Sequence, residues 1–333
     1  AMLGAAGLAV AGTVVAWIAP GPLLLGVGVL MIGLATAVFA LARHALLTTY
    51  VPISHRARAM STLGGTFRLG LLVGPFVGAA AIQITGSVHS VFVVQIVACV
   101  LASAVLLVWG DPERAFQSTG SVPQTGSIEV QAEARGLLGT LRDKHRVLLT
   151  LGLGSMMLSA LRASRQVVLP LWAVSIGLDA TTTSLIIGIA GVVDFSLFFT
   201  GGWIMDRFGR TWVAVPAMTG LAFGHLALSF LHDVPAAGVW FAILAIFLSL
   251  ANGIGSGILM TLGADLADRR NPAPFLGAWR FTNDVGALTA PMLVAGITAA
   301  ASLAVAVGAL GVLGLAGAVA LRVFIPRYVP HAR

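Results

Sequence analysis

The residues best placed to do chemistry in this sequence are charges set inside long apolar runs. Arg162 and Arg165 stand three apart in LSALRASRQVVLPLWA, with Gln166 and Pro170 close by. Residues at that spacing share one face of a helix. Asp194 stands in the next apolar run, GVVDFSLFF, and is their natural partner. A charge at mid-membrane is expensive and faces a wet cavity or an opposite charge. Two readings follow. The three residues form an ion pair that locks two helices, or they form a site. In the site reading, Arg162 or Arg165 binds an anionic group and Asp194 takes up a proton. Burial and a neighbouring guanidinium pull a carboxyl's proton affinity in opposite directions, so such a site is tunable.

Other charges repeat the theme. Arg280 and Asp284 are four apart in WRFTNDVG and pair along one helix. Arg43 and Arg68 lie in apolar runs nearer the start of the chain. Arg68, Arg280 and Asp284 read best as closing contacts of a gate. Asn252 and Ser256, in Asn252-Gly253-Ile254-Gly255-Ser256-Gly257, share a small-residue face that either packs or lines a cavity. His225, in an apolar run, reads as structural.

The elements that position these residues follow from composition. Of the 333 residues, 58% are hydrophobic and 9% charged. Mean hydropathy is +0.98. A water-soluble domain carries about 25% charged residues, so the surface must face lipid. Forty glycines fit that solvent, since small residues let membrane helices approach closely. The single cysteine, Cys99, excludes an internal disulfide and argues against a cysteine zinc site. The single lysine, in Asp143-Lys144-His145, excludes a Walker phosphate loop. No HExxH, GxSxG or Cys/His metal spacing is present, so no enzyme chemistry, metal or cofactor is expected.

A bilayer core needs about 20 apolar helical residues to cross it. Ten stretches qualify, near 2–19, 23–50, 58–83, 88–109, 147–177, 181–203, 211–231, 236–263, 274–298 and 301–324. The remaining 14 of the 19 basic residues fall in alternate loops or the tail, and none falls near 20–22, 84–88, 178–181, 232–236 or 299–301. The positive-inside rule makes the basic side cytoplasmic and puts both visible termini there. That sorting also removes the nucleic-acid reading of the +7 net charge. The expected plan is an all-α, polytopic membrane protein. It has a four-helix bundle over 1–110, a cytoplasmic linker over 111–146, a six-helix bundle over 147–325 and a tail over 326–333. The linker opens with DPERAFQSTGSVPQTGSIEVQ, rich in Ser, Gly, Gln and Pro, which reads as flexible. EARGLLGTLRDKHR follows as a candidate surface helix.

The two halves repeat. Gly70-x-x-x-Gly74-Pro75 recurs 216 residues later as Gly286-x-x-x-Ala290-Pro291. At the same offset the chain start falls on the third helix of the second half. The expectation is a first half lacking its first two helices.

Three motifs carry a resemblance. Gly202-Trp203-Ile204-Met205-Asp206-Arg207-Phe208-Gly209-Arg210 has the spacing G-x-x-x-D-R-x-G-R. Gly70-Leu71-Leu72-Val73-Gly74-Pro75-Phe76-Val77-Gly78 has the spacing G-x-x-x-G-P-x-x-G. Arg43 stands in LARHALLTTYVP. These resemble the loop motif, the fifth-helix motif and the fourth-helix arginine of the major facilitator superfamily, closest to bacterial drug:proton antiporters. At the last, Leu46 and Leu47 replace the family's Gln and Gly. The resemblance implies two helical bundles that rock about a central site and move a small molecule against a flow of protons. Within that plan the intramembrane residues read as Asp194 for proton uptake and Arg162, Arg165, Gln166 and Asn252 for substrate or gate roles. The resemblance assigns a cytoplasmic latch to Gly202, Asp206, Arg207, Gly209 and Arg210. It also implies efflux, a bacterial inner-membrane location and a monomer whose partners are substrate, protons and lipid. The rivals are a symporter or uniporter for an anionic solute and a truncated, non-transporting membrane protein.

Overall fold

The structure is a computed structural model that describes residues 2–50, 53–108, 139, 142–268 and 273–329. The described residues are all-helical, and contacts divide the chain into two compact units, Ala1–Gln124 and Thr125–Arg333. Apolar runs in lipid must satisfy their own backbone hydrogen bonds, and helices do so within one segment.

The first unit holds α1 (Met2–Trp17), α2 (Pro22–Tyr50), α3 (Ile53–Thr85) and α4 (Ser90–Val108). Helix α1 packs on α2 and α4, and α3 on α4. The α1–α2 crossing depends on two missing side chains. A Cβ on Gly12 would sit 2.8 Å from Met31 Cβ, and one on Gly28 would sit 2.7 Å from the backbone of Ala16. Close backbone approach of this kind replaces the hydrophobic drive that lipid does not supply.

The second unit opens with α5 (His145–Ser175), which contains a π-helical turn at Leu148–Gly152. It continues with α6 (Ala180–Ser196), α7 (Phe198–Phe208), α8 (Thr211–Ser229), α9 (Ala237–Ile254), α10 (Ile258–Leu266), α11 (Ala273–Ala300) and α12 (Leu303–Tyr328). The main pairings are α8 with α12, α5 with α11 and α6 with α9. Gly311, Gly314 and Gly317 recur every three residues along α12 and let it lie on α8. A Cβ at Gly314 would meet Ala222 Cβ at 2.7 Å. Among the described residues seven helices are long and apolar enough to cross a membrane, counting α6 with α7 and α9 with α10 as one each.

Two spans read from sequence as continuous are interrupted. The span over 181–203 breaks at Leu197, between α6 and α7. The span over 236–263 breaks at Gly255-Ser256-Gly257, where Gly257 has φ +85°, a conformation that favours glycine. The two breaks lie side by side. A Cβ on Gly201 would collide with the carbonyl of Ile254, and one on Gly253 would sit 3.0 Å from Leu197 Cβ.

Asp179 starts α6, its carboxylate accepting from the backbone N–H of Thr182 at 2.9 Å. Hydrogen bonding from Thr182, its side chain first and its backbone N–H second, holds the carboxyl below its ordinary range. The cap therefore contributes stability above the normal carboxylate pKa and loses it as pH falls through the lowered value. Asp179→Ala should bring a small drop in Tm near neutral pH that vanishes in strong acid.

Shifting the first unit by 216 residues lays α2 over α9 and α10, α3 over α11 and α4 over α12. Helix α1 overlaps α8. On α11, Gly286 is pinned on α5, a Cβ there meeting Met156 Cγ at 2.8 Å, and Ala290 and Val294 are buried. Their repeat mates on α3 are Gly70, Gly74 and Gly78, where an added Cβ meets nothing within 4 Å.

Candidate functional site

Beside the two breaks, α5, α6 and α9 bring a charged cluster together. Arg165 Nη2 donates to Asp194 Oδ2 at 2.7 Å, and Asn252 Nδ2 donates to the same oxygen at 2.7 Å. Arg165 Nη1 donates to Ser249 Oγ at 2.7 Å. Arg162 Nη2 reaches the backbone carbonyl of Asn252 at 3.4 Å, a long bond. The side chains of Arg165 and Asp194 are 14% and 19% exposed, buried enough for strong attraction yet reachable by water.

Local sequence explains the placement. Arg162 and Arg165 share a face of α5, and Ser249 and Asn252, also three apart, share a face of α9. Asp194 lies three residues before the α6 break. Gly253 lets α9 press onto α6, since a Cβ there would sit 2.7 Å from the Asp194 carbonyl. Gly255 makes room for the Arg162 guanidinium, with a Cβ at that position only 2.9 Å from Nη2. The α9 break also supplies the acceptor. Ser256 N bonds to the carbonyl of Gly253, leaving that of Asn252 outside the helical ladder and in reach of Arg162. A cation suits the negative end of a helix.

His225 is fully buried behind this cluster on α8. Its Nδ1–H donates to the Leu221 carbonyl at 2.8 Å, and Nε2 lies 3.2 Å from Ser164 Oγ. Both ring nitrogens are matched, in keeping with a structural histidine. Gln166 is exposed and stands outside the cluster.

The G-x-x-x-D-R-x-G-R motif finds its main partner outside itself. Arg210 Nε and Nη2 donate to Asp265 Oδ2 and Oδ1 at 2.7 and 3.3 Å, a two-pronged pair reaching from the end of α7 to α10. Arg210 Nη1 also donates to the Met205 carbonyl at 3.0 Å. The hydrogen-bonded Asp265 carboxylate raises the Arg210 pKa above its already high value. Asp206 stands 3.7 Å from Arg210 with its side chain 84% exposed, a secondary contact. Gly209 has φ +95° and ends α7, its N–H bonding to Met205. Arg207 lies over the rings of Trp203 and Phe208, 5.5 and 5.7 Å from their centroids. A Cβ on Gly202 would meet nothing within 4 Å, while its neighbour Gly201 lies against the α9 backbone.

Arg280 and Asp284 pair along α11 at 3.4 Å, with side chains 71% and 65% exposed. An exposed charged pair on a lipid-spanning helix belongs on a wet or protein-covered face. Asn283, between them, is buried, and its Oδ1 has no partner among the described residues. In the first unit, the Nε of Arg43 is likewise buried and unpartnered among the described residues. Pro75 is inside α3 with the open glycine face beside it. The side chain of Arg68 lies outside the described residues. Sequence reasoning missed Ser249, Asp265 and Gly201. Asp265 had a signal, an acidic residue at the basic end of a span. Ser249 had only its spacing to Asn252.

Described residues that are all-helical, seven helices long and apolar enough to cross a membrane, and a charged cluster between three helices of the second unit have the build of a polytopic membrane transporter. The Major Facilitator Superfamily model matches it over residues 1–164 and 151–333, and the chain belongs to that superfamily. It is therefore a transporter rather than an enzyme. The fold is similar to that of a POT family transporter solved with a thioalcohol-conjugated peptide. That match has a TM-score of 0.69 and 12% identity, over 98% of this chain and 81% of the other. It is also similar to the xylose transporter XylE from E. coli (TM-score 0.63, 16% identity, 99% and 81% covered). A D-xylose-proton symporter is a further match (TM-score 0.61, 16% identity, 100% and 82% covered). No curated protein matches the sequence.

Proposed function

We propose that the chain is a proton-coupled secondary transporter that exports a small molecule by alternating access, with Asp194 as the proton acceptor. The observation that carries this is the Arg165–Asp194–Asn252 network set beside two broken helices. Broken helices near the midplane are where transporters bind substrate and coupling ions. When Asp194 is ionised, Arg165 and Asn252 hold it and tie α5, α6 and α9 together. When it is protonated, the charge attraction is lost and the tie loosens. Protonation is thereby linked to bundle geometry. Arg162, Arg165 and Asn252 line the substrate site; Gln166, exposed on the same helix, extends it. Efflux rests on the Gly70–Gly78 motif's likeness to antiporters, and a proton symporter among the similar folds keeps uptake as the second reading.

The basic loops sit in the cytoplasm of a bacterial cell, and the protein works as a monomer in its inner membrane. There Arg210 and Asp265, with Asp206 and Arg207 beside them, latch α7 to α10. These are the basic-loop halves of the two broken spans, so they swing together about Leu197 and Gly255–Gly257. Arg210→Gln should weaken the closed gate by on the order of 1 kcal/mol, roughly fivefold in its equilibrium, because the pair is partly exposed. Exchanging the charges, Arg210→Asp with Asp265→Arg, should recover most of the transport rate. No recovery means the pair is not a latch.

Export is tested by growing cells that overproduce the protein against a panel of toxic small molecules. Resistance that Asp194→Asn removes supports efflux. Sensitisation by the wild type indicates uptake.

A further inference from the structure

One atom of the Asp194 network is idle. Asn252 Nδ2 donates to Asp194 Oδ2 at 2.7 Å, while Asn252 Oδ1 is buried and has no partner among the described residues. A buried acceptor without a donor destabilises the state that holds it, and gains most from any donor that arises beside it. Protonation of Asp194 creates such a donor.

The bonds from Arg165 and from Asn252 both end on Asp194 Oδ2. An incoming proton therefore adds to Oδ1, the oxygen outside both bonds. The acid that results donates through its O–H and still accepts at its C=O. A side-chain amide carries its oxygen and its nitrogen on one carbon. An acid meeting it edge to edge makes two bonds at once, amide N–H to acid C=O and acid O–H to amide oxygen. The neighbours leave this task to Asn252. Of the helices packed on α6, α5 brings Arg162 and Arg165, α9 brings no titratable side chain, and α7 has only Asp206 and Arg207 at its far end. Guanidiniums donate and never accept, so neither arginine can take the acid proton. Ser249 Oγ already accepts from Arg165.

We infer that Asn252 is the positioning residue for the protonated state of Asp194, its Oδ1 accepting the acid O–H while Nδ2 keeps its bond to Oδ2. This rests on the reading of Asp194 as the proton acceptor. It also says which contact the proton switches. The acid–amide pair keeps α6 joined to α9, and Arg165 keeps α5 joined to α9 through Ser249. Only the charge attraction between Arg165 on α5 and Asp194 on α6 is lost.

The test reads the C=O stretch of protonated Asp194 by difference infrared spectroscopy as pH is lowered, on the full chain in phosphatidylcholine vesicles. Hydrogen bonds at both ends of a carboxylic acid lower that frequency. The wild-type band should lie at the low, doubly bonded end of the carboxylic-acid range. Asn252→Leu, branched like asparagine but without either polar atom, should move it to higher frequency. If Asn252→Leu does not fold, Asn252→Ser offers one bond in place of two and should give a smaller shift in the same direction. Asn283→Leu removes another buried amide with an unpartnered Oδ1, on α11, and should leave the band in place. A band that stays put in the Asn252 variants, or moves as far in Asn283→Leu, overturns the inference. If no band appears in the wild type on acidification, the proton role of Asp194 fails and this inference with it. A band that is lost in Asp194→Asn yet unmoved by the Asn252 variants removes this inference alone.

Discussion

Asp194→Asn is expected to abolish pH-driven transport and to leave the chain inserted in the membrane. The amide keeps the shape of the carboxyl and can still accept from Arg165 and Asn252, which hold Oδ2 at 2.7 Å each. It cannot take up a proton in the physiological range. Arg165 then loses its counter-ion at a site only 14% exposed. Removing one partner of a buried pair costs about 3 kcal/mol at the low end of its range, softened here because Ser249 still accepts from Arg165. The double variant Arg165→Gln with Asp194→Asn has no orphan charge and should regain most of that stability without regaining transport. This separates the two meanings of the pair. A pair that only locks helices would show transport returning with stability. Transport rate against an imposed pH step, beside Tm, reads both. A single Asp194→Asn protein that still responds to the step removes the proton role.

Gly286→Leu is expected to prevent stable folding of the second unit. A Cβ at this position runs into the Met156 backbone, with the Met156 carbonyl carbon 2.9 Å away. No rotamer relieves a backbone clash, so α11 and α5 must separate. Overpacking commonly costs 1–3 kcal/mol, and a backbone collision between two long helices lies at or above about 3 kcal/mol. Separation also moves α5, which carries both arginines, away from its neighbours. Gly70→Leu, at the repeat-related position on α3 where an added Cβ meets nothing within 4 Å, should change the Tm of this 333-residue chain far less. Yield of monodisperse protein after detergent extraction checks both. Equal losses for the two variants contradict the packing described for α5 and α11.

The spans were readable because lipid imposes one rule, and apolar runs of about 20 residues obey it. All ten stretches have a helix in place. The intramembrane charges were readable for the same reason, since they stand out against 9% charged residues. Sequence offered Asp194 as the partner of Arg162 and Arg165, and the structure sets it against Arg165; Arg280 and Asp284, four apart in sequence, lie 3.4 Å apart on α11. Sequence did not reveal the breaks as breaks. Asn252 to Gly257 holds three glycines, but in a chain with 40 of them that run carries little weight. Leu197 has no local signal at all: its break is set by Gly201 and Gly253, which bring the two helices into contact. Asp265 was invisible as the partner of Arg210 because 55 residues separate them, and spacing rules act only over a helical turn or two. Ser249 was missed because a serine in a membrane helix is common, and its role depends on which face α9 turns to α5.

The most direct test of the proposed coupling is the protonation of Asp194 itself. Difference infrared spectra of the protein in lipid, taken as pH is lowered, report the C=O stretch of newly protonated carboxyls. The expected result is a band from a shielded carboxyl that appears on acidification, is absent from Asp194→Asn and persists in Asp284→Asn. A spectrum that does not differ between wild type and Asp194→Asn would show that Asp194 stays ionised throughout, and proton coupling through it would be ruled out.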